Sequence, residues 1–328
     1  MLAVGDPCRA TALAKGTLIA GREIHAIRCC GDEQMRSLVT TYARRHPVNS
    51  SVLLLVMLCA ALALGIYALD VARWWVFNQR LEALTEAPAS GVPQLRQWRV
   101  FYGGSLYRVS VHVYPSELEA ARGLNTAWVF ESPAPVRARY VRSLVRAESK
   151  TRLAAELTAQ LRQIARRAGL SDDEYAELLA RAIQDIDYGV IGSEIGMPAE
   201  VIAGGKGVCT EKSVLLGALM LREGYDTAML VLDSHNHVAV GIRSEGPQFR
   251  SIPYAFVETT RTARIGEVNS DYLGWGPVGR PPQTITLGGT KRYRGTSSRA
   301  DSGGRPAEDQ TSVMWTSSKG LLRSRGPS

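Results

Sequence analysis

The strongest pattern in the chain is a long absence of polar residues. Residues 51–69, SVLLLVMLCAALALGIYAL, carry no charge and reach the length at which a helix crosses the hydrocarbon layer of a bilayer. Arg44 and Arg45 precede the run, and Asp70, Arg73, Trp74 and Trp75 follow it. Tryptophans suit the membrane–water interface. A helix buried in a protein core rarely stays uncharged for so long. A cleaved signal peptide is the other reading, but the run is long for one and no small-x-small site closes it. Arg36, Arg44 and Arg45 outnumber Arg73 and Arg80 on the far side. That excess predicts a cytoplasmic N-terminus and an extracytoplasmic C-terminal domain.

Beyond this run the pattern changes period. Residues 70–97 read as a linker, with 78–95 polar and punctuated by Pro and Gly in TEAPASGVPQ. Residues 98–115, WRVFYGGSLYRVSVHVYP, then alternate apolar and polar positions. Val109, Val111 and Val113 share one strand face, and Gly103-Gly104 marks a tight turn between two strands. Leu153, Leu157, Leu161 and Ile164 recur at helical spacing up to a stop at Gly169. Ser171 and Glu174 make a capping box that opens a further helix, whose apolar side is Leu178, Leu179, Ala182, Ile183 and Ile186. Met197-Pro198 opens a short helix, and Gly204-Gly205-Lys206-Gly207 is a flexible loop. From Cys209 a helical pattern runs through Val214, Leu215, Leu216, Leu219 and Met220 to Gly224. Three strand-like runs follow at 225–232, 237–242 and 249–260. No internal repeat is present. The expected class is α+β, with a small antiparallel sheet packed against the helix that begins at Cys209.

The ends of the chain lack such patterning. Residues 283–328 are rich in Ser, Gly, Arg and Thr, cannot offset their ordering entropy, and are expected to be a disordered tail. Residues 1–50 form an N-terminal tail, of which 1–34 reads as a mis-called extension or a disordered stretch, Met35 offering a shorter start. These boundaries leave 98–282 as the folded domain.

Composition adds little to this division. An apolar content of 45% is enough for a packed core, and the formal charge of +8 attracts acidic surfaces without choosing among them. No nucleic-acid partner is expected. The basic run Arg137, Arg139, Arg142, Arg146, Lys150 and Arg152 reads as a solvated face, with contact to anionic lipid as the functional alternative. The GGKG loop is not a phosphate-binding loop, which needs Ser or Thr after GK and a wider glycine spacing. The cysteines are more informative. Cys8, Cys29, Cys30 and Cys59 all lie at or before the apolar run, and Cys209 stands alone after it. No disulfide framework can form around it within its own domain.

Cys209 lies in GVCTEKS (207–213), after a glycine-rich loop and on the first turn of a helix. The unpaired N–H groups and the dipole at a helix start favour a thiolate, and glycines let a substrate backbone come close. A nucleophile of this kind needs a base, and the base needs an orienting group. His237 begins the strand HVAVGI and Glu258 ends the next, YAFVETT. If those strands are neighbours, ring and carboxylate can meet across them.

The string GGKGVCTEKSVLLGALMLREGYDTAMLVLDSHNHVAVGI, followed by YAFVETT, resembles the transglutaminase-like superfamily, which is papain-like in fold. AIQDIDYG (182–189) is similar to that family's helix-end segment before the catalytic loop. The similarity covers 170–265 well and 98–169 weakly. It implies Cys209 as nucleophile, His237 as base and Glu258 in the third role, where the family's commonest residue is Asp; Asp271 is a second candidate. It implies an oxyanion hole built on the Cys209 backbone N–H and one further donor. Ala203 occupies the place of the papain-type Gln, so Gln184 or Tyr188 is left for that donor. The resemblance requires no cofactor. It implies a peptide or protein amide as substrate, acted on by a membrane-anchored hydrolase or acyl transferase.

Blander readings stand beside each of these. A lone cysteine can be an inert core residue, and the whole domain a membrane-tethered binding or assembly module with a relic cleft. His235 and His237 with Cys209 and Glu258 could bind zinc, although no short ligand pair is present. His235 otherwise reads as a loop residue at the cleft edge. Glu211 and Lys212 read as a helix-surface pair. Trp275 either covers the site or caps the core.

Overall fold

The computed structural model describes residues 50–124, 126–191, 195–268 and 282–295. The chain divides into two compact units, one up to Ala72 and one from Arg73 onward. Helix α1 (Ser50–Thr85) is long and apolar enough to cross a membrane. In the first unit its large apolar residues, among them Leu54, Leu58, Leu62 and Ile66, are exposed on every side. An all-round apolar surface of this kind is what lipid accommodates.

The second unit opens with the last turns of α1, and here the linker expected over 70–97 is corrected. The helix continues to Thr85 and strand β1 starts at Gln94. Phe77, Leu81 and Leu84 recur at helical spacing and are buried. Their stripe lies inside a sequence that looks polar overall. Phe77, Trp128 and Trp74 pack edge-on against the buried Tyr140 ring, with centroids 4.8, 4.6 and 5.0 Å away.

Strands β1 (Gln94–Tyr102) and β2 (Ser105–Val113) form the expected hairpin, with Trp98 opposite Val109. Gly103 and Gly104 take positive φ angles of 57° and 75° at its turn, where a side chain would be strained. Trp98, Val100, Val109, Val111 and Val113 are its buried face, and Trp98 Nε1 donates to the Ala182 carbonyl at 2.9 Å.

Helices α2 (Pro115–Arg122), α3 (Ala127–Glu131), α4 (Ala134–Glu148), α5 (Arg152–Ala168) and α6 (Asp172–Gln184) follow. The side chain of Gln160 on α5 accepts from Ser110 N at 2.8 Å, and Glu156 from His112 N at 3.1 Å, so the outer edge of β2 does not stand bare. The expected capping box is present, with Ser171 Oγ accepting from Glu174 N and Glu174 from Ser171 N. The αL conformation of Gly169 ends α5 as its sequence predicts.

Next come β3 (Asp187–Tyr188), α7 (Pro198–Gly204), β4 (Lys206–Gly207) and α8 (Cys209–Arg222). The rest is β5 (Thr227–Leu232), β6 (His237–Arg243), β7 (Tyr254–Val257) and β8 (Gln283–Gly288), an antiparallel sheet in the order β7-β6-β5-β8. The run expected at 249–260 is a strand only over β7, because Arg250 and Ser251 turn through positive φ angles of 48° and 72°. Val238, Val240, Ile242, Ala255 and Val257 face the main core together with Leu216, Leu219 and Met220 of α8. Ala239, Tyr254 and Phe256 face a smaller second core with Phe249.

Two further expectations are corrected at the edge strand. The tail predicted to be disordered from 283 begins with β8, and Tyr293 beyond it is buried with its hydroxyl donating to Glu177 at 2.7 Å. The basic run is a solvated face only in part, at Arg146 and Lys150, while Arg137 is buried and Arg139, Arg142 and Arg152 are partly covered. Arg142 and Arg146 donate to the Thr286 and Leu287 carbonyls of β8 at 2.9 and 3.1 Å. Arg137 is buried and holds both carboxylate oxygens of Asp233 at 2.8 Å, and Arg139 lies 4.7 Å over the Trp74 ring. Helix α8 is the hub, with every residue from Cys209 to Met220 buried. A Cβ at Gly217 would meet Met229 Sδ at 3.3 Å and Leu287 and Val145 methyls at 3.5 Å, so β5, β8 and α4 all close on that one glycine.

Candidate functional site

The site assembles around the first turns of α8. Successive residues of a helix point about 100° apart, so Glu211, Lys212 and Ser213 leave the helix in different directions, and each holds a different segment. Glu211 accepts from Gly196 N at 2.5 Å and Val208 N at 2.8 Å, which fixes the loop leading into Cys209. Lys212 donates to the carbonyls of Gln184 at 3.3 Å and Ile186 at 2.6 Å, the end of α6 and the approach to β3. Ser213 donates to the Val238 carbonyl at 2.9 Å and meets the Thr259 hydroxyl at 3.1 Å, beside His237 and Glu258 respectively. The expected surface pair of Glu211 and Lys212 is therefore corrected: both are buried. Three consecutive polar residues in a helix with no solvent face are the signal that betrays them.

These anchors fix the level of the helix against the sheet. Ser213 lies at Val238, and Gly217, one turn on, lies at Met229, which pairs with Val240. Helix and strand thus advance together. Cys209 is one turn before Ser213, about 6 Å along the axis, and the same spacing continued back would set it toward the start of β6. The Cys209 side chain is buried, with 9% of the residue exposed, and its Sγ lies 3.9 Å from Thr210 Oγ1.

The structure brings His237 and Glu258 together. His237 Nε2 is 3.6 Å from Glu258 Oε1, slightly beyond hydrogen-bond length. The ring also stacks on Phe256, with centroids 6.4 Å apart. Glu258 is fully buried. Its Oε1 accepts from Thr259 N, Thr260 N and Thr260 Oγ1 at 2.8, 2.9 and 2.8 Å, and among the described residues its Oε2 has no hydrogen-bond partner. Burial holds the His237 imidazole below its ordinary pKa, against the opposing pull of Glu258 and with help from the charge of His235. Lys212 is the nearby buried cation. Burial lowers its pKa to about 8, while Asp185, Glu258 and Asp187 resist the fall.

The two residues expected to supply a second oxyanion donor part company. Gln184 is committed at both ends of its amide: Nε2 donates to the carbonyls of Glu258 and Ala263 at 3.0 and 2.9 Å, and Oε1 accepts from Ala263 N at 3.3 Å. It clamps the loop that follows Glu258. Tyr188 sits on β3, paired in parallel with Gly207 of β4, two residues before Cys209. Partial burial, and then the charges of Cys209 and Glu211, raise its phenol pKa, so it stays an O–H donor at neutral pH. Among the described residues no group of His, Cys, Asp or Glu is placed to hold a metal ion, which leaves the zinc reading without a ligand set there. Asp271 and Trp275 lie outside the described residues.

Comparison of the chain with protein-family models, with curated proteins and with solved structures finds no match.

Proposed function

We propose that the chain is a membrane-anchored, thiol-dependent amide or peptide hydrolase or acyl transferase, built on a papain-like domain of transglutaminase-like type. The observation that carries this reading is the approach of His237 Nε2 to Glu258 Oε1 at 3.6 Å, with Cys209 at the start of the helix whose Ser213 bonds Val238, the residue after His237 on β6. Glu258 faces Nε2, so Nδ1 is the ring atom that takes the thiol proton. Cys209 Sγ attacks the carbonyl carbon of a carboxamide or peptide bond. The new C–S bond pushes an electron pair onto oxygen, which the Cys209 N–H and one further donor receive. Collapse breaks the C–N bond as His237 returns the proton to the leaving amine. Water, deprotonated by the same imidazole, then releases the acid from the thioester. No cofactor enters these steps. With the N-terminus cytoplasmic, the domain acts outside the membrane on peptide or cell-wall amides.

The burial of Cys209 favours a second reading, a non-enzymatic binding or assembly module with a relic cleft. Alkylation of the intact, detergent-solubilised chain separates the two. In the first reading iodoacetamide modifies Cys209 at pH 7, and His237→Ala slows this at least about tenfold with an unchanged melting temperature. Cleavage and mass mapping keep Cys209 distinct from Cys59. Modification of Cys209 only after unfolding, or at a rate indifferent to His237, favours the module.

A further inference from the structure

The strand beside the loop that leads into Cys209 carries apolar side chains into solvent. β3 pairs with β4, and among the described residues no strand lies beside its other edge. The ladder continues one residue further, with Gly189 N donating to Gly207 O at 3.3 Å. Tyr188 and Val190, on either side of Gly189, are 63% and 59% exposed. A Cβ at Gly189 would meet Lys206 Cδ at 3.2 Å, so that position faces the lysine side chain and Tyr188, its neighbour on β3, faces the other way. Side chains two residues apart on extended backbone are about 6.6 Å apart, the width of one aromatic or branched aliphatic group. Tyr188 pairs with Gly207, two residues before Cys209. A surface with apolar side chains on an unpaired strand edge is suited to an extended chain that adds to the edge and is read by its alternate side chains.

The geometry points to Tyr188 and Val190 as an apolar subsite that receives the side chain next to the amide attacked by Cys209, which makes the substrate an extended polypeptide with an apolar residue beside the scissile bond. This rests on Cys209 being the nucleophile, so the test separates the two ideas.

Two electrophiles are compared on the full-length chain in detergent: iodoacetamide and N-benzyliodoacetamide. In both, Sγ displaces iodide, a C–S bond forms and the C–I bond breaks; only the apolar group differs. The rate ratio of benzyl to plain reagent at Cys209 is expected to be about tenfold higher in the folded chain than in the unfolded one, the scale of discrimination an apolar pocket achieves. Tyr188→Ser and Val190→Ser bring the ratio to the unfolded value, whereas Tyr188→Phe, which keeps the ring, retains it. Equal ratios in folded and unfolded wild type overturn the subsite, as does a ratio that survives both serine substitutions. If neither reagent reaches folded Cys209, the nucleophile itself is refuted and the subsite falls with it.

Discussion

Seven residues, GVCTEKS, organise most of the site. Glu211, Lys212 and Ser213 each reach a different segment, so the loop before Cys209, the approach to β3 and the ends of β6 and β7 are all tied to one turn of helix. The sequence singles out Cys209, His237 and Glu258 because their residue types and order suggest a chemistry, and of these the structure sets His237 beside Glu258. The anchors are not, because Glu-Lys on a helix ordinarily faces water. Lys212 offers a direct check. Its pKa is about 8 folded against 10.5 for an ordinary lysine, so between these values the folded chain holds fewer protons than the unfolded chain, and stability rises with pH. Relative to Lys212→Met, wild type should gain about 2–3 kcal/mol between pH 7 and pH 10, at 1.36 kcal/mol per unit of pKa difference. Thermal unfolding of both proteins in detergent across that range measures the gain, and parallel curves would refute it.

Elements were legible where hydrophobic spacing was strong. The β1–β2 hairpin, α5, α6, α8, β5 and β6 fall where their patterns put them. The tail of α1 and strand β8 do not, for a shared reason: neither is stable by its own sequence. β8 (QTITLG) has only Ile285 and Leu287 facing the core, and it is held by β5 on one side and by Arg142 and Arg146 on the other. The last turns of α1 depend on Phe77, Leu81 and Leu84 finding Tyr140 and its neighbours. Phe77→Ala removes one member of a closed ring of aromatic contacts and should cost about 3–5 kcal/mol, read as a fall in the unfolding temperature of the second unit. Trp75→Ala, at an exposed position of the same helix, should leave that temperature nearly unchanged.

For the molecule as a whole, the boundary of the second unit at Arg73 matters more than the end of the apolar run. A fragment beginning at Arg73 retains Phe77, Leu81 and Leu84, and a fragment beginning at Ala87 loses all three. Each buried side chain of this size is worth about 1.5–3 kcal/mol, so the shorter fragment forfeits a large share of the ~5–15 kcal/mol that holds a typical domain together. Size-exclusion chromatography should find the longer fragment compact and the shorter one aggregated. Equal behaviour would mean that the helix end is dispensable.

The contact at Gly217 reaches further than its size suggests. Helix, strand and neighbouring helix meet there across a gap one hydrogen wide, so the residue works as a shim whose thickness is zero. One added methyl would lift the lever on which the sulfur rides, and two turns away a few tenths of an ångström would carry the Cys209 end of the helix with it. In this molecule the fine placement of the Cys209 helix tip is entrusted to the one position in the helix that has no side chain at all.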